Sequence, residues 1–150
     1  MYNFKNLKNK EFIDVVIFNK NKQVKVFSTG DSKYDENGKL KPRDFDLSIK
    51  EIELLNSFLN NINLNNYKAD IVNYCNEVYA EYSNKRINLD DIEDEVNISA
   101  IAINICSSNE NKNYPNIAFW GSCECDEEHG ICIGFKDNIF VGIASQDWLL

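Results

Sequence analysis

The chain is expected to fold as α+β: an N-terminal β-hairpin, two to three helices and a C-terminal antiparallel meander, with the helices packed on one sheet face. Three observations predict this. β-Branched and aromatic residues cluster between positions 12 and 27, apolar residues recur at helical spacing between 49 and 82, and strand-like runs separated by turn residues fill 98 to 144. Strands, then helices, then strands imply segregated layers rather than alternating β-α units, and so an antiparallel sheet.

The hairpin is read from Phe12-Ile13-Asp14-Val15-Val16-Ile17-Phe18 and Gln23-Val24-Lys25-Val26-Phe27, with Asn19 to Lys22 as the polar break. Residues 28 to 46 are polar, and Asp35-Glu36-Asn37-Gly38 is a turn, since Asn-Gly tolerates the left-handed backbone that tight turns need. A calcium loop is excluded there, because Lys33 and Asp44 stand at its first and last ligand places. Ser48 followed by Glu51 is a capping box, and Ile49, Ile52, Leu55, Phe58, Leu59 and Ile62 then predict a helix over 49 to 62. Tyr67, Ile71, Tyr74, Cys75, Val78 and Tyr82 form the stripe of a second helix ending near Ser83. Asn88 can cap a short third one, in which Ile92 and Val96 supply a narrow apolar face. Strands follow at Ile98 to Cys106, Ile117 to Cys125, Ile131 to Lys136 and Phe140 to Ala144, with turns at Asn109 to Asn116 and at Asp137-Asn138.

With 150 residues and 43% apolar content, residues 1 to 150 are expected to form one domain around one core. No apolar run approaches membrane-spanning length, and the lysine-bearing N-terminus lacks the apolar stretch of a signal peptide. Five cysteines, an odd number in a chain large enough to need no staples, favour reduced thiols and a cytoplasmic setting. The net charge of −8 disfavours nucleic acid, whose binding is driven by cations displacing counterions. Charge is also uneven: residues 1 to 25 net +4, whereas residues 87 to 128 carry ten acids against Lys112 alone.

One segment is dense in reactive groups. Cys123-Glu124-Cys125-Asp126-Glu127-Glu128-His129-Gly130-Ile131-Cys132 gathers three cysteines, four acids and the only histidine. Cys123, Cys125, His129 and Cys132 could supply four zinc ligands, but their spacing is not a common zinc pattern. If residues 126 to 130 are the loop, Cys125 lies opposite Ile131 and Cys123 opposite Ile133, so Cys132 points to the other face with Glu124 and the ligands do not converge. Less than one equivalent of zinc is therefore expected, and no cofactor. A nucleophilic role for Cys125 with His129 is disfavoured, since neighbouring acids raise a thiol's pKa. Gly130 instead provides the positive φ of a tight loop, and His129 among the acids locks it.

The run Phe119 to Leu150 has Cys125-Asp126-Glu127-Glu128-His129-Gly130-Ile131 at its centre, then Val141-Gly142 and Ser145-Gln146-Asp147-Trp148. It resembles a bacterial domain-of-unknown-function family whose members carry a W-D-E-E-H-G-hydrophobic hairpin, a final strand and a V-G-x-x-D-like tail. The resemblance covers about the last third of the chain and reaches back toward Ile98. It departs at Cys125, where the family usually has Trp, which is not a metal ligand. The family's association with toxin and immunity loci implies a bacterial cytoplasmic protein with a protein-binding role.

The expected function is thus a non-catalytic interaction protein of the immunity or antitoxin type, whose acidic surface receives a basic protein toxin. Its partner-binding residues are Asp90, Asp91, Glu93, Asp94 and Glu95 on the third helix and Asp126, Glu127 and Glu128 at the hairpin tip. The alternative is a small metal-binding or enzymatic domain using the Cys123 to Cys132 cluster. A structural accessory domain is a third.

Overall fold

The computed structural model describes residues 1–28, 34–103 and 114–149. Six strands form one sheet in sequential order: β1 (Phe12–Ile17), β2 (Lys20–Ser28), β3 (Val96–Ile103), β4 (Ile117–Cys123), β5 (Ile131–Lys136) and β6 (Ile139–Ala144). Between β2 and β3 run three helices, α1 (Ile49–Asn61), α2 (Lys68–Ala80) and α3 (Ile92–Glu95), each of which contacts the sheet or its hairpin tip. The fold is therefore α+β with an N-terminal hairpin and a C-terminal meander, as the pattern predicts.

One pairing departs from the all-antiparallel expectation. β2 and β3 run parallel, with Lys25 opposite Ala100 and Phe27 opposite Ala102. The helical segment carries the chain back to the end of the sheet from which β2 started, and a strand entered from there can only lie parallel to it. The end of the expected strand at residues 104 to 106, including Cys106, and most of the turn before β4 lie outside the described residues, as does Lys33.

The first turn is also displaced. Phe18 and Asn19, with φ of 50° and 66°, join β1 to β2, so Lys20, Asn21 and Lys22 belong to the strand rather than the break. That part of β2 pairs only with β1, because β3 reaches it from Lys25 onward. A locally open edge accounts for its polar composition. The other two turns stand where the sequence puts them. Asp137 and Asn138 both have positive φ, and Asp35 Oδ1 accepts from the amides of Asn37 (2.9 Å) and Lys39 (2.9 Å), with Gly38 at φ 76°.

α1 begins with the predicted reciprocal cap: Ser48 Oγ accepts from Glu51 N at 3.1 Å, and Glu51 Oε1 accepts from Ser48 N at 2.9 Å. Ile52, Leu55 and Phe58 face the core, whereas Ile49, expected on the same stripe, is exposed at the first helical position. Asparagine side chains then do the work of strand partners. Asn60 exchanges two hydrogen bonds with the backbone of Tyr2, Asn56 two with Phe4, and the buried Asn76 two with Ile87, all between 2.8 and 3.0 Å.

The sheet's helix-facing side holds the main core, in which Phe58 meets Phe119 and Phe135 at ring-centroid distances of 4.9 and 5.2 Å. Its opposite side carries a smaller cluster of Ala102, Ala118 and Cys132 beneath Phe27 and Trp120. Among the described residues no helix is long and apolar enough to cross a membrane.

Candidate functional site

The hairpin tip is longer than its sequence suggests. Gly121 lies opposite Ile131 and Phe119 opposite Ile133, so ladder pairing stops four residues earlier than expected and a 3-10 turn, Glu124–Asp126, fills the loop. The displacement is even, so side-chain parity is unchanged. Cys123 joins the helix-side core and Cys132 the cluster on the other face.

Asp126 organises this loop. Its Oδ1 accepts from His129 N at 3.1 Å and faces His129 Nδ1 at 3.0 Å, while its carbonyl accepts from Gly130 N at 3.0 Å. Gln146 closes the loop from the C-terminal side, donating from its backbone N–H to the His129 carbonyl at 3.0 Å and from Nε2 to Gly121 O at 2.7 Å. Gly130 sits at φ 67°.

The hydrogen bond and charge of Asp126, with smaller contributions from Glu128 and Asp147, raise the His129 pKa above 6.5 against a small opposing effect of desolvation. The stabilisation from this pair is fully present below the unfolded histidine's pKa and fades as pH rises through the folded one. NMR titration is expected to give a His129 midpoint above 6.5 that falls back toward it in Asp126→Asn. A midpoint unmoved by that substitution would show that the carboxylate does not hold the ring.

Beneath the loop lies a buried constellation that the local motif does not contain. Cys75 from α2, Glu95 from the end of α3 and Cys125 from the hairpin tip are all buried, and their thiol sulfurs and a carboxylate oxygen lie within 4.8 Å of one another. Cys123 Sγ is 3.5 Å from Cys125 Sγ. Tyr79 Oη donates to Glu95 Oε2 at 3.0 Å, and Tyr82 Oη donates to the Cys125 carbonyl at 2.5 Å.

The thiols here are poor nucleophiles. The Cys123 thiol is raised by its hydrogen bond to Cys125 and by burial. Cys125 is lowered by that same bond, but its hydrogen bond to Cys75, burial and the Glu95 charge prevail and push it up to about 12. Burial alone pushes Cys132 up to about 12. All three keep their protons at neutral pH, and the four described cysteines are free.

The acidic residues expected to bind a partner fall into two groups. Asp90, Glu93, Asp94, Glu127 and Glu128 are exposed. Glu95 is not: only 4% of it is accessible, because the α3 helix turns that side chain under the hairpin tip, so it cannot touch a partner. Two others have local duties, Asp91 accepting from Asn88 N at 2.9 Å and Asp126 holding His129, and exposed Glu93 pairs with Lys20 at 3.2 Å. Glu95 and Cys125 meet in the buried layer beneath the tip, which links the two acidic segments through the core. Sequence reasoning missed Cys75, Tyr79 and Glu95 as one group, since they come together only through tertiary packing.

Comparison with curated proteins and with solved structures gives no match. The sequence does match, over residues 3–150, the family described as a domain of unknown function, DUF6985. That span takes in the hairpin, the helices and the meander, well beyond the last third on which the resemblance rests. The chain therefore belongs to the DUF6985 family.

Proposed function

We propose that this is a non-catalytic interaction domain of the immunity type, which binds a basic bacterial toxin through an acidic surface. The observation that carries the reading is the buried contact of Glu95 with Cys125, which links the acidic segments 90 to 94 and 126 to 128 through the core. Asp90, Asp94, Glu127 and Glu128 are its exposed, uncommitted charges among the described residues. Such a concentration of negative potential steers a cationic partner into encounter and rejects nucleic acid. Protonated, buried thiols and a histidine held by Asp126 speak against catalysis at the tip.

The test is to sequence the locus and, where the neighbouring gene encodes a toxin, to coexpress the two. Reversing Asp90, Asp94, Glu127 and Glu128 to lysine is expected to slow association, remove its salt dependence and abolish protection of the cell. Reversing Lys5, Lys8 and Lys10 should change little. Survival that is indifferent to the acidic reversals would remove the electrostatic mechanism, and a locus encoding no toxin would remove the immunity reading.

A further inference from the structure

We propose that Cys75 Sγ, Cys125 Sγ and the Glu95 carboxylate form a structural site for one zinc-class divalent ion, which ties α2, the end of α3 and the hairpin tip together.

The three donors come from three separate elements, yet their ligand atoms lie within 4.8 Å of one another and all three residues are buried. Around a tetrahedral ion with Zn–S of about 2.3 Å and Zn–O of about 2.1 Å, ligand atoms stand roughly 3.4 to 3.8 Å apart. The donors need to close by roughly 1.4 Å at most to reach that separation, which side-chain rotation supplies. Cys123 Sγ, 3.5 Å from Cys125 Sγ and itself buried, is the soft donor within reach of the fourth position.

A second observation points to a ligand independently of this clustering. Glu95 is 4% accessible, and although its Oε2 accepts from Tyr79, its Oε1 is buried with no hydrogen-bond partner among the described residues. A carboxylate oxygen withdrawn from water and left unsatisfied is costly, and native structures retain one where an ion or other group completes it. Tyr79 has the place of an outer partner, fixing the carboxylate's orientation through the oxygen that the ion does not use.

The donor chemistry selects the ion. Thiolates exclude calcium and magnesium, which take oxygen ligands, and two thiolates with a carboxylate suit zinc. Each cysteine that binds forms a metal–sulfur bond and gives its thiol proton to solvent, so uptake is favoured as pH rises. This ligand set differs from the one suggested by the local Cys and His spacing. Cys132 lies in the cluster on the opposite sheet face, and His129 is engaged by Asp126 at the surface. The expectation of less than one zinc per chain followed from the parity that turns Cys132 away from Cys123 and Cys125, and the proposed set does not use Cys132.

The full chain, kept reduced, is loaded with zinc alone, dialysed against metal-free buffer and analysed for metal; a parallel sample is titrated with cobalt alone. One zinc retained per chain is expected, with a raised melting temperature and the thiolate-to-cobalt charge-transfer absorption of a tetrahedral site. Cys132→Ala should retain both signals, Glu95→Gln should weaken binding at least tenfold, and Cys75→Ala with Cys125→Ala should abolish it. If the double variant does not fold, wild-type protein still decides the matter through zinc-dependent protection of its thiols from alkylation. No retained metal, no protection, or cobalt absorption without thiolate character would overturn the proposal.

Discussion

Replacing Phe58 by alanine is expected to destabilise the protein by about 3 to 5 kcal/mol. The ring is fully buried at the point where α1 crosses the sheet, in contact with Phe119 of β4 and Phe135 of β5, and Phe135 in turn packs on Tyr67 at 5.1 Å. Removing it takes away the apolar burial of a whole aromatic side chain and leaves a cavity whose walls are themselves rigid rings, which collapse poorly. Urea denaturation should show a lower midpoint at an unchanged slope. A loss under about 1 kcal/mol would mean that α1 does not seat on this face.

Gly130→Val should cost about 2 to 4 kcal/mol. Two causes add at one position. The backbone stands at φ 67°, where a β-branched residue is strained, and a Cβ there would lie 2.6 Å from Gly121 O and 2.5 Å from Gln146 Nε2. The side chain would therefore push out the glutamine that closes the loop, losing the 2.7 Å bond from Gln146 Nε2 to Gly121 O. Gly130→Ala separates the two causes partly, since it keeps the clash at Cβ but lacks the branching. An unchanged denaturation midpoint for the valine variant would contradict the positive-φ loop.

Features set by neighbours in the chain were legible in the sequence. The Ser48 and Glu51 cap, the Asp137-Asn138 turn and the Asp35 to Gly38 turn each depend on three or four consecutive residues, and each stands where the residues put it. Composition misled at the first hairpin, because polar Lys20 to Lys22 look like a loop when they are a strand with one open side, and Phe18 looks like a strand residue when it is the buried corner of the turn. The parity of the cysteines survived a loop that was misplaced, since an even displacement leaves each side chain on its own face. The buried thiol and carboxylate group was beyond reach. Cys75 and Glu95 meet Cys125 only after α2 and α3 pack beneath the tip, and no spacing along the chain encodes that meeting.

The parallel seam between β2 and β3 bears on how quickly the molecule can assemble. The β1–β2 hairpin and the β4–β5–β6 meander close over short turns, so each can form from local contacts on the microsecond scale of isolated hairpins. Lys25 meets Ala100 only after the entire helical segment between them has been ordered or looped out, and the chain entropy lost in that closure precedes the contacts that offset it. The two halves of the sheet are thus expected to form early and separately, with their union across this seam as the slow step. Until then the Lys25 to Ser28 edge of one half and the Ala100 to Ile103 edge of the other stay unpaired, and those are the strand edges through which a nascent chain would stick to its neighbours.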